Sequence, residues 1–362
     1  MIRRQPWFAT IAILSLGLGI GLNAAVFAVV DAVVLRPPPI HDPASLVAVF
    51  TSHEHGEAYG TTSYPDFQDL AAGNETFAGI AARSMIFAAV ALPPRATGAA
   101  PPANRLAMGE VVTASYFPLL GVTPALGRAF TPDEDRGEGA HAVVVISDRL
   151  WRQTYDGRPD VIGQTMTVRS RPYTIVGVAP ASFTGLTPGL SAELWLPISM
   201  VEDVEPVGMN AVVPSPGTTR LTRRGTRWMF VVGRLRRGIT AEVARQNLDA
   251  IMTRLGSEFP GSNAGRQMLV TPAAAIRVHP AIDGALRPTA AVLQGGVLLV
   301  LLVACANLSG MLFARGMARS KEMAVRAALG ASRARIVWML VAENMALAVV
   351  GGLVGLLFAV WT

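Results

Sequence analysis

Three long apolar stretches punctuate the chain: Trp7 to Val30, Thr289 to Ala314, and Ile336 to Thr362, the last interrupted by Glu343 and Asn344. Each exceeds the roughly 20 residues that a helix needs to cross a hydrocarbon core. The pattern predicts three transmembrane helices, within residues 1–35, 289–314 and 336–362. The first run is too long for the core of a signal peptide, and no small-x-small cleavage site closes it. Between the first two runs, residues 36–288 turn hydrophilic and read as a large folded domain. Between the last two lies a short basic segment, 315–335.

Charge sets the orientation. The chain of 362 residues has a formal net charge of +6. Arg3 and Arg4 precede the first run, and Arg315 to Arg335 holds six cations against one acid. Over residues 36–288, 23 arginines face 22 acids, so the excess lies beside the apolar runs. By the positive-inside rule the amino terminus and 315–335 are cytoplasmic and 36–288 lies outside. A basic groove for nucleic acid is not implied.

The basic segment has helical order. Ala318, Val325 and Leu329 fall at helical spacing, widened by Met323, Ala324, Ala327 and Ala328, while Arg319, Lys321, Glu322 and Arg326 occupy the other side. Glu322 precedes Arg326 by one helical turn, the favourable order for an ion pair. Gly330 supplies a stop and Ser332 an N-cap for the next helix. Such a basic helix either anchors to anionic lipid at the inner surface or docks a cytoplasmic protein.

Within 36–288, Arg36-Pro37-Pro38-Pro39 ends the first helix. Leu46 to Phe50 reads as a strand, Tyr64 to Ala72 as a helix capped by Ser63, and Gly79 to Val90 as a strand. Gly109 to Val112, Ser115 to Leu120, Ala142 to Ile146 and Asp148 to Tyr155 continue the alternation. Val161 to Val168 and Tyr173 to Val178 form a hairpin, and Pro206 to Gly225 is a loop. Trp228 to Leu235, then Thr240 to Leu255 with Val243, Leu248, Ile251 and Leu255 inward, then Met268 to Val270 make a second strand-helix-strand unit. The expectation is two lobes: an outer lobe of 44–108 with 226–288 and an inserted lobe of 109–205, with 206–225 a mobile loop.

Inside the apolar runs, Gly17 with Gly21 and Gly351 with Gly355 form small-x-x-x-small pairs that let helices approach closely. Asn23, Asn307 and Glu343 suit helix-to-helix hydrogen bonds better than a transport path; Asp31 and Gln294 complete the polar set. Cys305, the one cysteine, excludes an intrachain disulfide. His53-Glu54-His55-Gly56-Glu57 lacks the spacing of a zinc site, and Asp133-Glu134-Asp135 after Thr131-Pro132 reads as a capped turn rather than a calcium loop. The only lysine, Lys321, lies in no G-x-x-x-x-G-K-[ST] loop, so no catalytic set, metal or cofactor is expected and ATP hydrolysis falls to another chain.

The phrase KEMAVRAALGASRARI, with ACANLSGMLFARGMAR before it and LGLGIGLNAAVFAVVDAVVLRPPP near the start, closely resembles the MacB-like and FtsX-like permeases of ATP-driven exporters, departing mainly at Lys321, where Arg is commoner. Phrases in 36–288, among them Gly127-Arg128-Ala129-Phe130, resemble the periplasmic domain of the same family. The resemblance implies an α+β membrane protein: three transmembrane helices, and between the first and second an extracytoplasmic domain with porter-like and sabre-like lobes. It implies a bacterial inner-membrane location and a separate cytoplasmic ATPase docked at Lys321, Glu322, Val325, Arg326, Leu329 and Gly330. A homodimer or second permease half and a periplasmic adaptor are further implied partners. The expected function is an exporter or mechanotransmission permease; the alternative is an FtsX-like regulator that activates an extracytoplasmic enzyme or sensor without transport. Because such permeases continue into further helices, the chain is also expected to be a truncated or first-half unit.

Overall fold

The computed structural model describes residues 6–31, 33, 40, 42–53, 56, 58–91, 104–204, 217–276, 279–329 and 332–361. The chain divides into two compact units, one within residues 37–283 and the other drawn from 1–36 and 284–362. After the helix α1 (Pro6–Val30), the first of these units runs β1 (Leu46–His53), α2 (Tyr64–Gly73), β2 (Phe77–Ala91), β3 (Arg105–Val112), α3 (Tyr116–Leu120), β4 (Leu126–Gly127), β5 (Val143–Ile146), α4 (Asp148–Tyr155), β6 (Thr165–Val168), β7 (Arg171–Val178), β8 (Leu194–Pro197), β9 (Phe230–Leu235), α5 (Ala241–Glu258), α6 (Pro260–Asn263) and β10 (Arg266–Pro272).

Among the described residues, ten strands belong to one sheet, in the order β10-β1-β9-β2-β3-β8-β5-β7-β4, with β6 bridging β2 and β7. From β10 to β3 every pairing is antiparallel. β3 then pairs parallel with β8, and β5 parallel with β7. The expected lobe boundary at 108/109 therefore falls inside β3, and the strands on either side of it share hydrogen bonds. β8, an unbroken apolar run without alternation, was not foreseen, yet it is the strand that joins the two halves of the sheet.

Period-2 alternation sends neighbouring side chains to two separate cores. Ile80, Ala82, Val144, Ile146, Leu194, Leu196 and Val231 belong to one, and Ala81, Val145, Trp195 and Val232 to the other. Helices α2 and α5 cover the first face with Phe67, Leu70, Leu248, Ile251 and Leu255. Aromatic side chains of and around α3 cover the second: Phe117 lies 5.7 Å and Phe183 5.5 Å from the Trp195 ring. A sheet buried on both faces explains why strands such as β8 read as continuous apolar runs.

The local signatures form as the residues dictate. Ser63 Oγ accepts from Asp66 N–H (3.3 Å), and Thr240 Oγ1 from Val243 N–H (3.3 Å). Thr131 and Glu134 make a capping box. Val243, expected inward, is 45% exposed, and Ala244 takes the inward place. The phase is set by Leu248, Ile251 and Leu255, and Ala244 rather than Val243 stands one turn before Leu248. The expected strand over 161–168 is confined to Thr165–Val168. Of the loop 206–225, residues 206–216 lie outside the described residues.

The helical unit continues with α7 (Pro280–Ala318), α8 (Ser320–Ala328) and α9 (Arg333–Trp361). α7 begins well before Thr289 because its start is capped: His279 N–H donates to Asp283 Oδ1 (3.1 Å) and Pro280 opens the helix. Pro288, expected to end the domain, lies inside the helix. The His279 ring is held edge-on to Phe50, Tyr59 and Phe230. Ala9–Val30 and α7 are long and apolar enough to cross a membrane, whereas in α9 the apolar stretch found among the described residues is Leu347–Phe358. The three-span expectation thus rests, for its third member, on a helix of 29 residues with a shorter apolar part.

Candidate functional site

The turn between α7 and α8 is nearly seamless: Arg319 N–H donates to Arg315 O (3.1 Å) and Met323 N–H to Arg319 O (3.1 Å). Leu329 N–H still reaches Val325 O (3.0 Å), and Ser332 Oγ accepts from Arg335 N–H (3.4 Å) as α9 starts. α8 is thus a short helix held at both ends by two long ones.

Its exposed side chains are mixed in character. Lys321 points to solvent, Val325 is 59% exposed and Leu329 83% exposed. Arg326 is half-buried, with Nη1 3.0 Å from Met339 Sδ. The Glu322 side chain and Gly330 lie outside the described residues, and with them the expected Glu322–Arg326 pair. Beside α8, Leu312, Phe313, Gly316, Met317, Ser320 and Met323 line a shallow apolar cleft of about 630 Å³. An exposed lysine and large exposed apolar side chains on and beside one short helix form a surface suited to another protein or to lipid.

The glycines of the helical unit meet face to face. A Cβ on Gly355 would lie 2.9 Å from Gly17 O, and one on Gly21 would lie 3.1 Å from Gly355 O. A Cβ on Gly351 would stand 3.0 Å from Leu16 Cβ. Backbones come this close only where a side chain is missing. Asn23 Nδ2 donates to Val297 O (2.9 Å) and Gly19 O (3.0 Å), and its Oδ1 accepts from Gln294 Nε2 (3.3 Å), tying α1 to α7. Asn307 is exposed on α7, and the Glu343 side chain lies outside the described residues.

Two buried ionic networks in the strand domain were not foreseen. Glu110, on β3, accepts from Arg83 Nη1 (2.6 Å), Tyr116 Oη (2.8 Å) and Trp195 Nε1 (2.9 Å). Burial and the adjacent carboxylate push the Tyr116 hydroxyl well above its ordinary range. Burial alone would lower the Arg83 guanidinium, but Glu110 outweighs it and the net direction is up. In the second network, Asp66 accepts from Arg224 Nη1 (2.7 Å), Arg227 Nη2 (3.1 Å) and Asn263 Nδ2 (2.7 Å). Arg227 is pulled down to about 10 by burial and by neighbouring Arg266. The charged Glu110 inside the apolar run Leu106–Val112 was the signal available, but its partners are remote in sequence. Asp135 is raised to about 6 by burial, opposed by the Ala114 N–H that both its oxygens accept. Of the His53 to Glu57 cluster, Glu54, His55 and Glu57 lie outside the described residues.

Two helices long and apolar enough to cross a membrane, within α1 and α7, are separated in sequence by a large α+β domain, and the short basic helix α8 follows the second. Residues 9–251 match the MacB-like periplasmic core domain and residues 295–362 the FtsX-like permease C-terminal region, and the chain belongs to this MacB/FtsX-like permease family. The Neisseria meningitidis serogroup A macrolide export ATP-binding/permease protein MacB is 25% identical over 248 residues, 66% of this chain and 33% of that protein. The Escherichia coli K12 protein of the same name is 28% identical over 88 residues, 24% of this chain and 13% of that one. The chain thus spans about a third of the Neisseria relative's length. Among solved structures, the periplasmic region of MacB from Actinobacillus actinomycetemcomitans aligns with a TM-score of 0.42 at 15% identity, over 65% of this chain and 91% of that one.

Proposed function

We propose that this chain is the permease part of an ATP-driven exporter or mechanotransmission complex. A cytoplasmic ATPase carried on a separate chain docks on α8, and its closing and opening moves the helices and, through them, the extracytoplasmic domain. The observation that carries the reading is the free face of α8, where Lys321, Val325 and Leu329 stand exposed between two long helices. Hinge and shear motions of packed helices are the established means of passing such displacement. In this reading α9 is the third span of an inner-membrane protein, and residues 37–283 lie in the periplasm. Their sheet moves as porter-like and sabre-like parts, an adaptor meets them there, and a second copy or second permease half completes the assembly.

Arg326→Glu and Leu329→Asp are expected to insert into the membrane normally and to lose co-purification with the ATPase expressed beside them. Retained co-purification in both variants would move docking away from α8 and leave that helix as a lipid anchor.

A further inference from the structure

The strand domain contains a second concentration of cations, remote in sequence from the basic helix. The end of β9 and the turn that leads into α5 place Arg234, Arg236 and Arg237 around a cleft of about 500 Å³, closed on the other side by Asp42 and Ser45 at the 3-10 turn Pro43–Ser45. The three arginines are not equivalent. Arg234 builds the floor: Nε and Nη2 donate to Leu119 O (3.0 and 2.8 Å), and Nη1 donates to Asp42 O (3.0 Å) and Ser45 Oγ (2.7 Å). Arg236 is anchored at one point, with Nε donating to Phe77 O (3.0 Å). Among the described residues, Arg237 has no hydrogen-bond or ion-pair partner.

The turn itself is fixed. Ile239 N–H donates to Arg236 O (3.1 Å), and Gly238 has a φ of 80°, a conformation glycine adopts without strain. Among the described residues lining the cleft, the three guanidinium groups face one carboxylate, Asp42, 3.9 Å from Arg234 Nη1 and half exposed. At that distance, and in contact with solvent, it neutralises little of the field. The result is a concave, preorganised surface with a net positive charge and unused guanidinium donors. Planar guanidinium forks pair bidentately with tetrahedral and planar oxyanions.

We propose that this cleft binds a phosphate group, with Arg236 and Arg237 closing on it over the Arg234 floor. The phosphate belongs either to a free small molecule or to the headgroup of an anionic lipid. The inference does not depend on the docking reading, because every residue in it lies within the strand domain and its readout involves no ATPase.

The full chain reconstituted in phosphatidylcholine nanodiscs and titrated with inorganic phosphate at low ionic strength, followed by calorimetry, tests the proposal. Saturable binding is expected. Arg236→Gln combined with Arg237→Gln is expected to weaken it by about tenfold, the loss of one charge-assisted contact or more. Asp42→Asn is expected to tighten it by about threefold, because the competing charge is removed and Asn tolerates the left-handed backbone at φ 45°. All substituted side chains are exposed or half exposed, and unchanged melting temperatures serve as the folding control. Nanodiscs containing phosphatidylglycerol separate the sources: suppressed phosphate binding assigns the site to a lipid headgroup, unchanged binding to a soluble phosphate. Absence of saturable binding in phosphatidylcholine, or binding unaltered by the three substitutions, would overturn the proposal.

Discussion

The strand domain and the helical unit solve the same problem with opposite materials. In the strand domain the large side chains go inside: Trp195, Tyr116, Tyr173 and Phe117 are fully buried, and even Glu110 and Asp66 are buried, paired with Arg83 and Arg227. In the helical unit the large apolar side chains face outward, Val292 at 74%, Phe313 at 71% and Leu357 at 71% exposure, while glycines form the contacts. Water rewards burial of apolar surface, so the domain packs aromatics against its sheet. Lipid offers no such reward, so helices associate where missing side chains let backbones touch and where a carboxamide such as Asn23 finds a carbonyl. Each unit follows the rules of its own solvent.

That contrast is open to direct attack. The largest effect is expected at Glu110. Glu110→Ala leaves the Arg83 guanidinium buried, with Thr187 Oγ1 as its remaining side-chain acceptor and Nε already unpartnered. Removing one member of a buried ion pair costs about 3–5 kcal/mol. For a domain of this size that corresponds to a fall in melting temperature of roughly 10 °C, measured by tryptophan fluorescence on the full chain in detergent. A loss below about 1 kcal/mol would mean that the network behaves like a surface ion pair. In the helical unit, Gly355→Leu drives a side chain into Gly17 O and Ile20. An overpacking cost of about 1–3 kcal/mol is expected to separate α1 from α9 without melting the strand domain. A disulfide between cysteines placed at Gly17 and Val354, where a Cβ on Gly17 would lie 3.4 Å from Val354 Cβ, reports it in a Cys305→Ser background, forming in the parent and not in the variant.

Much of this organisation was legible because its signals are local. Ser63, Thr131 and Thr240 cap within three residues, and the glycine pairs repeat at a single helical turn. The parts that were not legible depend on residues far apart. Glu110 meets Arg83 and Trp195, and Asp66 meets Arg224 and Arg227, only after the sheet has formed. The parallel pairing of β3 with β8 was hidden for the same reason: it joins segments about 85 residues apart, and no short-range pattern encodes a crossover of that length. The early start of α7 was hidden because residues up to 288 read as the hydrophilic domain, while the His279–Asp283 cap lies outside any apolar run.

Everything proposed for function depends on the two faces of the chain lying on opposite sides of a membrane. The most direct test is cysteine accessibility in a Cys305→Ser background, with Glu138→Cys in the strand domain and Ala334→Cys at the start of α9. Both positions are exposed. In cells with a permeabilised outer membrane, an impermeant thiol reagent is expected to label the cysteine at 138 and to spare the one at 334 until the inner membrane is opened. Labelling of 334 with 138 protected would contradict the account.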